Sequence, residues 1–142
     1  MAAKTPLTRK KTPSARTTAI ELARLALDRH CRDIVVLDLR RLSPVTDFFV
    51  IATGTSARQM TSLAHEMADL SSSQWDNPPF STGGLPQSAW VLIDFVDVVV
   101  HLFDAEHRSY YDLEMLWGDA PKVRWKKRPP KDPLNPSLKF VH

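Results

Sequence analysis

Asp94 and Asp97 stand three residues apart around a tight connection, with His101 four residues further on. Carboxylates so spaced on a turn can hold a divalent cation or share acid and base roles. Turn carboxylates more commonly accept hydrogen bonds from the turn's own amides, and that reading is preferred here. Asp97 and His101 are kept as secondary candidates for partner contact, and no metal site is assigned. The segment Trp90-Val91-Leu92-Ile93-Asp94-Phe95 is the more informative one. Strand side chains alternate, so Val91, Ile93 and Phe95 share one face and Trp90, Leu92 and Asp94 the other. The first set is pure core. The second combines a large aromatic, an aliphatic and a carboxylate, a combination suited to binding a protein. The simpler alternative is that a helix covers Trp90 and makes it core as well.

Other constellations are weaker. Gly54-Thr55-Ser56 joins a strand to a helix, where amides and the helix dipole can hold an anion. It lacks the Lys-Ser/Thr of a P-loop, and a helix cap explains it fully. No nucleophilic site stands out. Cys31 falls on the apolar stripe of a helix, His30 and His65 lie on helices, His107 begins one, and His142 is terminal. One cysteine allows no internal disulfide, and no Cys/His spacing reads as zinc binding. No cofactor is expected.

These residues need elements to position them. Thr18 with Glu21 forms a capping-box pattern opening a helix over about 18–31, its stripe being Ile20, Ala23, Leu27 and Cys31 and its outer face pairing Arg24 with Asp28. Residues 34–39 read as a strand buried on both faces, and 47–53 as a second, closed by Gly54. Ser56 with Gln59 caps a helix running to about Leu70, with Met60, Leu63, Ala64 and Met67 inward. Ser71 to Ser88, rich in proline and glycine, reads as a long loop. Two apolar runs, 89–95 and 97–103, are separated only by Val96 and must form an antiparallel hairpin. A last helix over 105–117 is capped by Asp104, with Arg108 and Asp112 at i,i+4, and Pro121 ends the fold. The expected architecture is one α/β (α+β) domain, a mixed β-sheet flanked by helices.

The net charge of +3 conceals a segregation. Residues 1–32 carry eight bases against Glu21 and Asp28, and 122–142 carry seven against Asp132. Between them, 33–121 carry thirteen acids against Arg40, Arg41, Arg58 and Arg108. An acidic body is repelled by a phosphate backbone and attracted to a basic protein surface. Residues 1–16 read as a disordered basic tail, 17–121 as the domain, and 122–142 as a basic, Pro-rich tail. The acid-free start has the composition of a transit peptide but too few large apolar residues for an amphipathic one. No apolar run is long enough to cross a bilayer, so no membrane contact is expected.

Three ordered blocks carry a family resemblance: Asp33 to Leu39 with Ser43 and Asp47 to Gln59; Trp90 to Phe103; and Tyr110 to Pro121. Together they resemble the ribosomal silencing factors, the Iojap-like family. The resemblance implies a nucleotidyltransferase-like fold without enzyme activity. It also implies binding to the large ribosomal subunit through its ribosomal protein fourteen, exclusion of the small subunit, lower translation when nutrients are scarce, and a part in large-subunit maturation. The family tryptophan at the ribosomal-protein contact matches Trp90; Leu92 and Asp94 extend that surface by strand alternation. The sequence departs from the pattern at Val96, where a glycine is usual, and at Gly83-Gly84. The basic tails are expected to add ribosomal RNA contact, a bacterial cytoplasm is favoured over an organelle, and a homodimer is left open. Two rivals stand beside this reading. An active nucleotidyltransferase would need an Asp-x-Asp strand that is missing, and a general RNA-binding module would rest on the tails alone.

Overall fold

The computed structural model describes residues 12–84 and 90–127. Four helices and five strands follow in the order α1 (Ala15–Asp28), β1 (Arg32–Asp38), β2 (Phe48–Thr53), α2 (Ala57–Trp75), β3 (Ser81–Gly84), β4 (Trp90–Asp94), β5 (Val98–Phe103), α3 (Ala105–Tyr111) and α4 (Leu113–Leu116). The strands form one mixed sheet, β1-β2-β5-β4-β3. Only β2 and β5 run parallel, matching Phe48 with Val98 through Thr53 with Phe103. The other pairs are antiparallel, including the expected β4–β5 hairpin.

Helix α1 starts earlier than expected. Pro13 precedes Ser14, whose hydroxyl accepts from the Thr17 amide at 3.1 Å, so the cap is Ser14. Thr18 is instead buried within the helix, and Glu21 pairs with Arg24 at 3.1 Å, leaving Arg24 no bond to Asp28. The buried stripe is Ala19, Leu22, Ala23 and Ala26 rather than Ile20, Ala23 and Leu27. Small side chains let the helix lie close on the sheet, whereas Leu27 is left exposed. Cys31 is buried, but beyond the helix end.

Helix α2 has the expected cap, with Ser56 Oγ accepting from the Gln59 amide at 3.0 Å and Gln59 Oε1 accepting from the Thr55 amide at 3.0 Å. It runs five residues past Leu70, however, into the segment read as loop. The serines there turn inward on the helix, Ser71 Oγ donating to Ala68 O and Ser73 Oγ to Asp69 O. Trp75 packs against the core and holds the extra turn in place. The same supposed loop also contains β3, with Gly83 facing Leu92 and Ser81 facing Asp94. Its glycines are tolerated because it is an edge strand.

One sheet face lies under α1 and α2, where Val36, Phe48, Val50, Ala52, Val91, Ile93, Val98, Val100 and Leu102 meet the helices. The other face is smaller and less covered, built on Leu37, Leu39, Ile51, Phe103 and Ala120 with Phe49, Trp90, Leu113 and Trp117 against them. Ordered packing does not stop at Pro121. Pro121 O accepts from the Asp38 amide at 2.8 Å, and the Val123 amide donates to Val36 O at 2.8 Å. Trp125 is buried, its indole donating to Ile34 O at 3.2 Å. Residues 121–125 thus cover the outer edge of β1, which would otherwise present unpaired backbone groups. Expectations about 1–11, 85–89 and 128–142, including the end of the loop read to Ser88 and the strand start at 89, lie outside the described residues.

Candidate functional site

The β4 alternation places side chains as the sequence predicts. Val91, Ile93 and Phe95 are buried in the helix-covered core, and Trp90, Leu92 and Asp94 stand partly exposed on the opposite face. Register extends that face across neighbouring strands, with Trp90 opposite Phe103, Leu92 opposite His101 and Asp94 opposite Val99. Trp90 is neither free nor sealed. Its ring lies 5.1 Å from Phe103 and 4.8 Å from Tyr111, a residue of α3, so a helix covers part of it. Its indole N–H points to Nδ1 of His101 at 3.3 Å. Aromatic pairs at such separations add about 0.5–1.5 kcal/mol beyond area burial, so the indole is held in one orientation.

His101 is therefore an inner support of the patch. It is 4% exposed, wedged against Phe49 with ring centroids 4.5 Å apart. Burial lowers its pKa to about 4, so it is neutral at physiological pH. Asp94 Oδ1 accepts from the Val96 amide at 2.7 Å, the turn-acceptor role. The Asp97 carbonyl accepts from the amides of Asp47 and Phe48, both at 3.0 Å, tying the hairpin turn to the start of β2. Among the described residues no group of three or more His, Cys, Asp or Glu side chains could hold a metal ion.

The expected helix over 105–117 is broken. Asp104 caps α3 as predicted, accepting from the His107 amide at 2.8 Å, and this bond holds its carboxyl below the usual range. Asp112 then adopts φ 44°, ending α3 and capping α4 by accepting from the Met115 amide at 3.3 Å. Aspartate is among the few residues that visit this left-handed region readily. Arg108 does not pair with Asp112. Its guanidinium donates to Glu114 Oε1 at 2.9 Å, to Thr53 Oγ1 at 2.8 Å and to the Asp33 carbonyl, clamping both helices to the sheet.

The break turns an apolar row outward that sequence reasoning did not single out. Tyr110, Met115 and Leu116 are 79%, 78% and 71% exposed, and Tyr111 bridges Tyr110 to Trp90. The available signal was the 105–117 segment itself, whose apolar residues do not fall on one helical stripe. Residues 104–119 also carry Asp104, Glu106, Asp112, Glu114 and Asp119 against Arg108 alone. The patch is aromatic at its centre and acidic around it.

The remaining candidates are structural. Gly54 is required by packing, because a Cβ there would lie 2.2 Å from Met60 Cγ. The Thr55 amide beside it donates to Gln59 Oε1, and the Gln59 amide of α2 donates to Ser56 Oγ. Cys31 accepts from Gln59 Nε2 at 3.4 Å, and burial raises its thiol pKa, the opposite of a reactive cysteine.

The fold and patch define a single-domain α+β protein with one helix-covered sheet face and one half-open face rich in aromatics and carboxylates. The family model described as ribosomal silencing factor during starvation matches residues 12–138. The ribosomal silencing factor RsfS of Halalkalibacterium halodurans is 41% identical over 107 residues, covering 72% of this chain and 91% of that protein. That of Bacillus subtilis (strain 168) is 42% identical over 97 residues, covering 66% and 79%. A crystal structure of a Bacillus halodurans protein superposes with a TM-score of 0.62 at 35% identity, covering 77% of this chain and 95% of that one. The chain belongs to the ribosomal silencing factor family.

Proposed function

We propose that the protein binds the large ribosomal subunit through that subunit's ribosomal protein fourteen and, by occupying the joining face, keeps the small subunit away. The observation that carries this reading is Trp90, a half-open indole fixed by Tyr111, Phe103 and His101, with Asp94 on the same face of its strand and an acid-rich segment following β5. A preorganised tryptophan loses little freedom on binding and suits the centre of an interface. Its acidic surround complements a cationic ribosomal protein and steers encounter. Leu92 and Asp94 extend the contact along β4, with Tyr110, Tyr111, Met115 and Leu116 beside it. Mechanism is occupancy: no bond is made or broken, and effect follows the fraction of subunits covered.

The test is sedimentation with purified large subunits, followed by a subunit-joining assay. Trp90→Ala, checked for folding by its melting curve, is expected to lose about 2 kcal/mol of binding, roughly 30-fold in affinity. It should release joining at concentrations where the unaltered protein suppresses it. Full binding by folded Trp90→Ala, or joining at normal speed under saturating unaltered protein, would overturn the reading.

A further inference from the structure

The segment that seals β1 is two-sided. Lys122 is registered opposite Leu37, and Val123 and Trp125 turn inward while Lys122, Arg124 and Lys126 are exposed. Alternate residues of an extended chain lie about 6.5 Å apart on one side, so Lys122 and Arg124 stand in line, with Lys126 at the bend that follows. The inward side fixes the row to the fold: Trp125 is buried, its indole donates to Ile34 O, and its carbonyl accepts from Arg24 Nε at 2.7 Å. Arg41 continues the row, lining one hollow with Pro121, Arg40 and Asp38.

Two carboxylates at this edge are engaged, whereas Asp33, in β1 itself, forms no ion pair among the described residues. Asp38 pairs with Arg40 at 2.7 Å and Glu21 with Arg24 at 3.1 Å. Asp28 shares a hollow with Lys126 and Lys127 and forms no ion pair among the described residues. Arg41, Lys122 and Arg124 likewise form no ion pair among the described residues, and Lys126 lies 5.9 Å over the Trp125 ring. The row thus concentrates positive charge on an otherwise acidic body, on the sheet edge opposite β3.

We infer that this edge is a phosphate-backbone docking strip, and that Lys122, Arg124 and Lys126 bind RNA without reading its sequence. A row of exposed lysine and arginine carries no aromatic anchor, and lysine is depleted in protein–protein interfaces. A repeating polyanion is the partner that rewards a cluster of neighbouring cations, each neutralised phosphate releasing counterions. For a member of a ribosomal family, RNA is the polyanion at hand. The inference stands apart from the Trp90 reading, since it concerns another edge and another class of partner.

The test uses the full-length protein with fluorescently labelled oligouridine, followed by anisotropy across a salt series. Lys122→Gln/Arg124→Gln/Lys126→Gln is compared with the unaltered chain and with Arg128→Gln/Lys131→Gln/Lys139→Gln. Loss of three contacts should lower the log–log salt slope by about 2. From 50 to 200 mM salt the unaltered protein should then lose about 20-fold more affinity than the strap variant. The strap residues are exposed, so the variant's melting curve should match that of the unaltered protein. A strap variant that keeps the full slope, or a tail variant that accounts for the whole effect, would overturn the proposal. So would polyglutamate or phosphatidylserine vesicles competing as well as RNA at equal charge.

Discussion

The indole N–H of Trp90 can only donate, so Nδ1 of His101 must accept and the ring proton must sit on Nε2. Nε2 is buried without a hydrogen-bond partner among the described residues, which makes a charged imidazole costly there. Protonation would fall on Nδ1, put a charge among Phe49, Phe103 and Trp90, and remove the acceptor that orients the indole. The pKa of about 4 lies below the ordinary value of 6.5, so the unfolded chain binds the proton more readily. Stability from this group is therefore complete above about pH 6.5, falls as pH drops toward 4, and is lost below it; the loss is up to roughly 3 kcal/mol. His101→Gln keeps an acceptor without titrating in this range. Its urea midpoint should change less between pH 7 and 4.5 than that of the unaltered protein, while Trp90-dependent ribosome binding persists. Identical pH profiles for the two proteins would refute a buried neutral histidine as the cause.

The β4–β5 turn stores strain at a residue the sequence already marked. Val96 adopts φ 76°, and the Asp97 amide donates to Phe95 O at 3.0 Å across it, a three-residue γ-turn. A β-branched residue at positive φ costs about 1–3 kcal/mol, and Val96 is exposed, with no core contact to offset it. Val96→Gly relieves this cost while adding unfolded-state freedom worth about 0.4–1 kcal/mol. The expected result is a gain of about 1 kcal/mol, read as a melting temperature raised by a few degrees; a lowered one would contradict the strain argument. The turn shows why some elements were legible and others were not. The strands over 34–39, 47–53, 90–94 and 98–103 and the caps Ser56 and Asp104 follow from local periodicity and side-chain chemistry. Helix α2 beyond Leu70 and strand β3 depend on distant partners, Trp75 on the core and Ser81–Gly84 on β4, against weak local propensity. The α3–α4 break rests on one left-handed Asp112, and the buried strap on Trp125 finding Ile34, neither of which leaves a periodic signature. The same causes explain why the shared face of Trp90, Leu92 and Asp94 was legible from alternation, whereas the exposed residues Tyr110, Met115 and Leu116 were not.

At the scale of the whole molecule the charge segregation visible in the sequence becomes a spatial one. The aromatic patch centres on β4, and the cationic strap borders β1. In the order β1-β2-β5-β4 these strands are three steps apart, about 14 Å at the usual spacing between neighbours. They share no side-chain partner among the described residues, and sites so separated behave independently in energy. A single ribosomal surface that offers a basic protein beside an RNA backbone would engage both at once, each contact raising the effective concentration of the other. Trp90→Ala combined with the strap substitutions therefore tests the two proposals as a pair. Measured by subunit sedimentation, the fold-losses of the two variants should multiply in the combined one, within about twofold. The strap substitutions should reduce the salt dependence of binding, and Trp90→Ala should leave it nearly unchanged. A combined loss no larger than that of Trp90→Ala alone would mean that the strap does not touch the subunit when the indole is seated. In that case the cationic edge would meet RNA only away from the joining face.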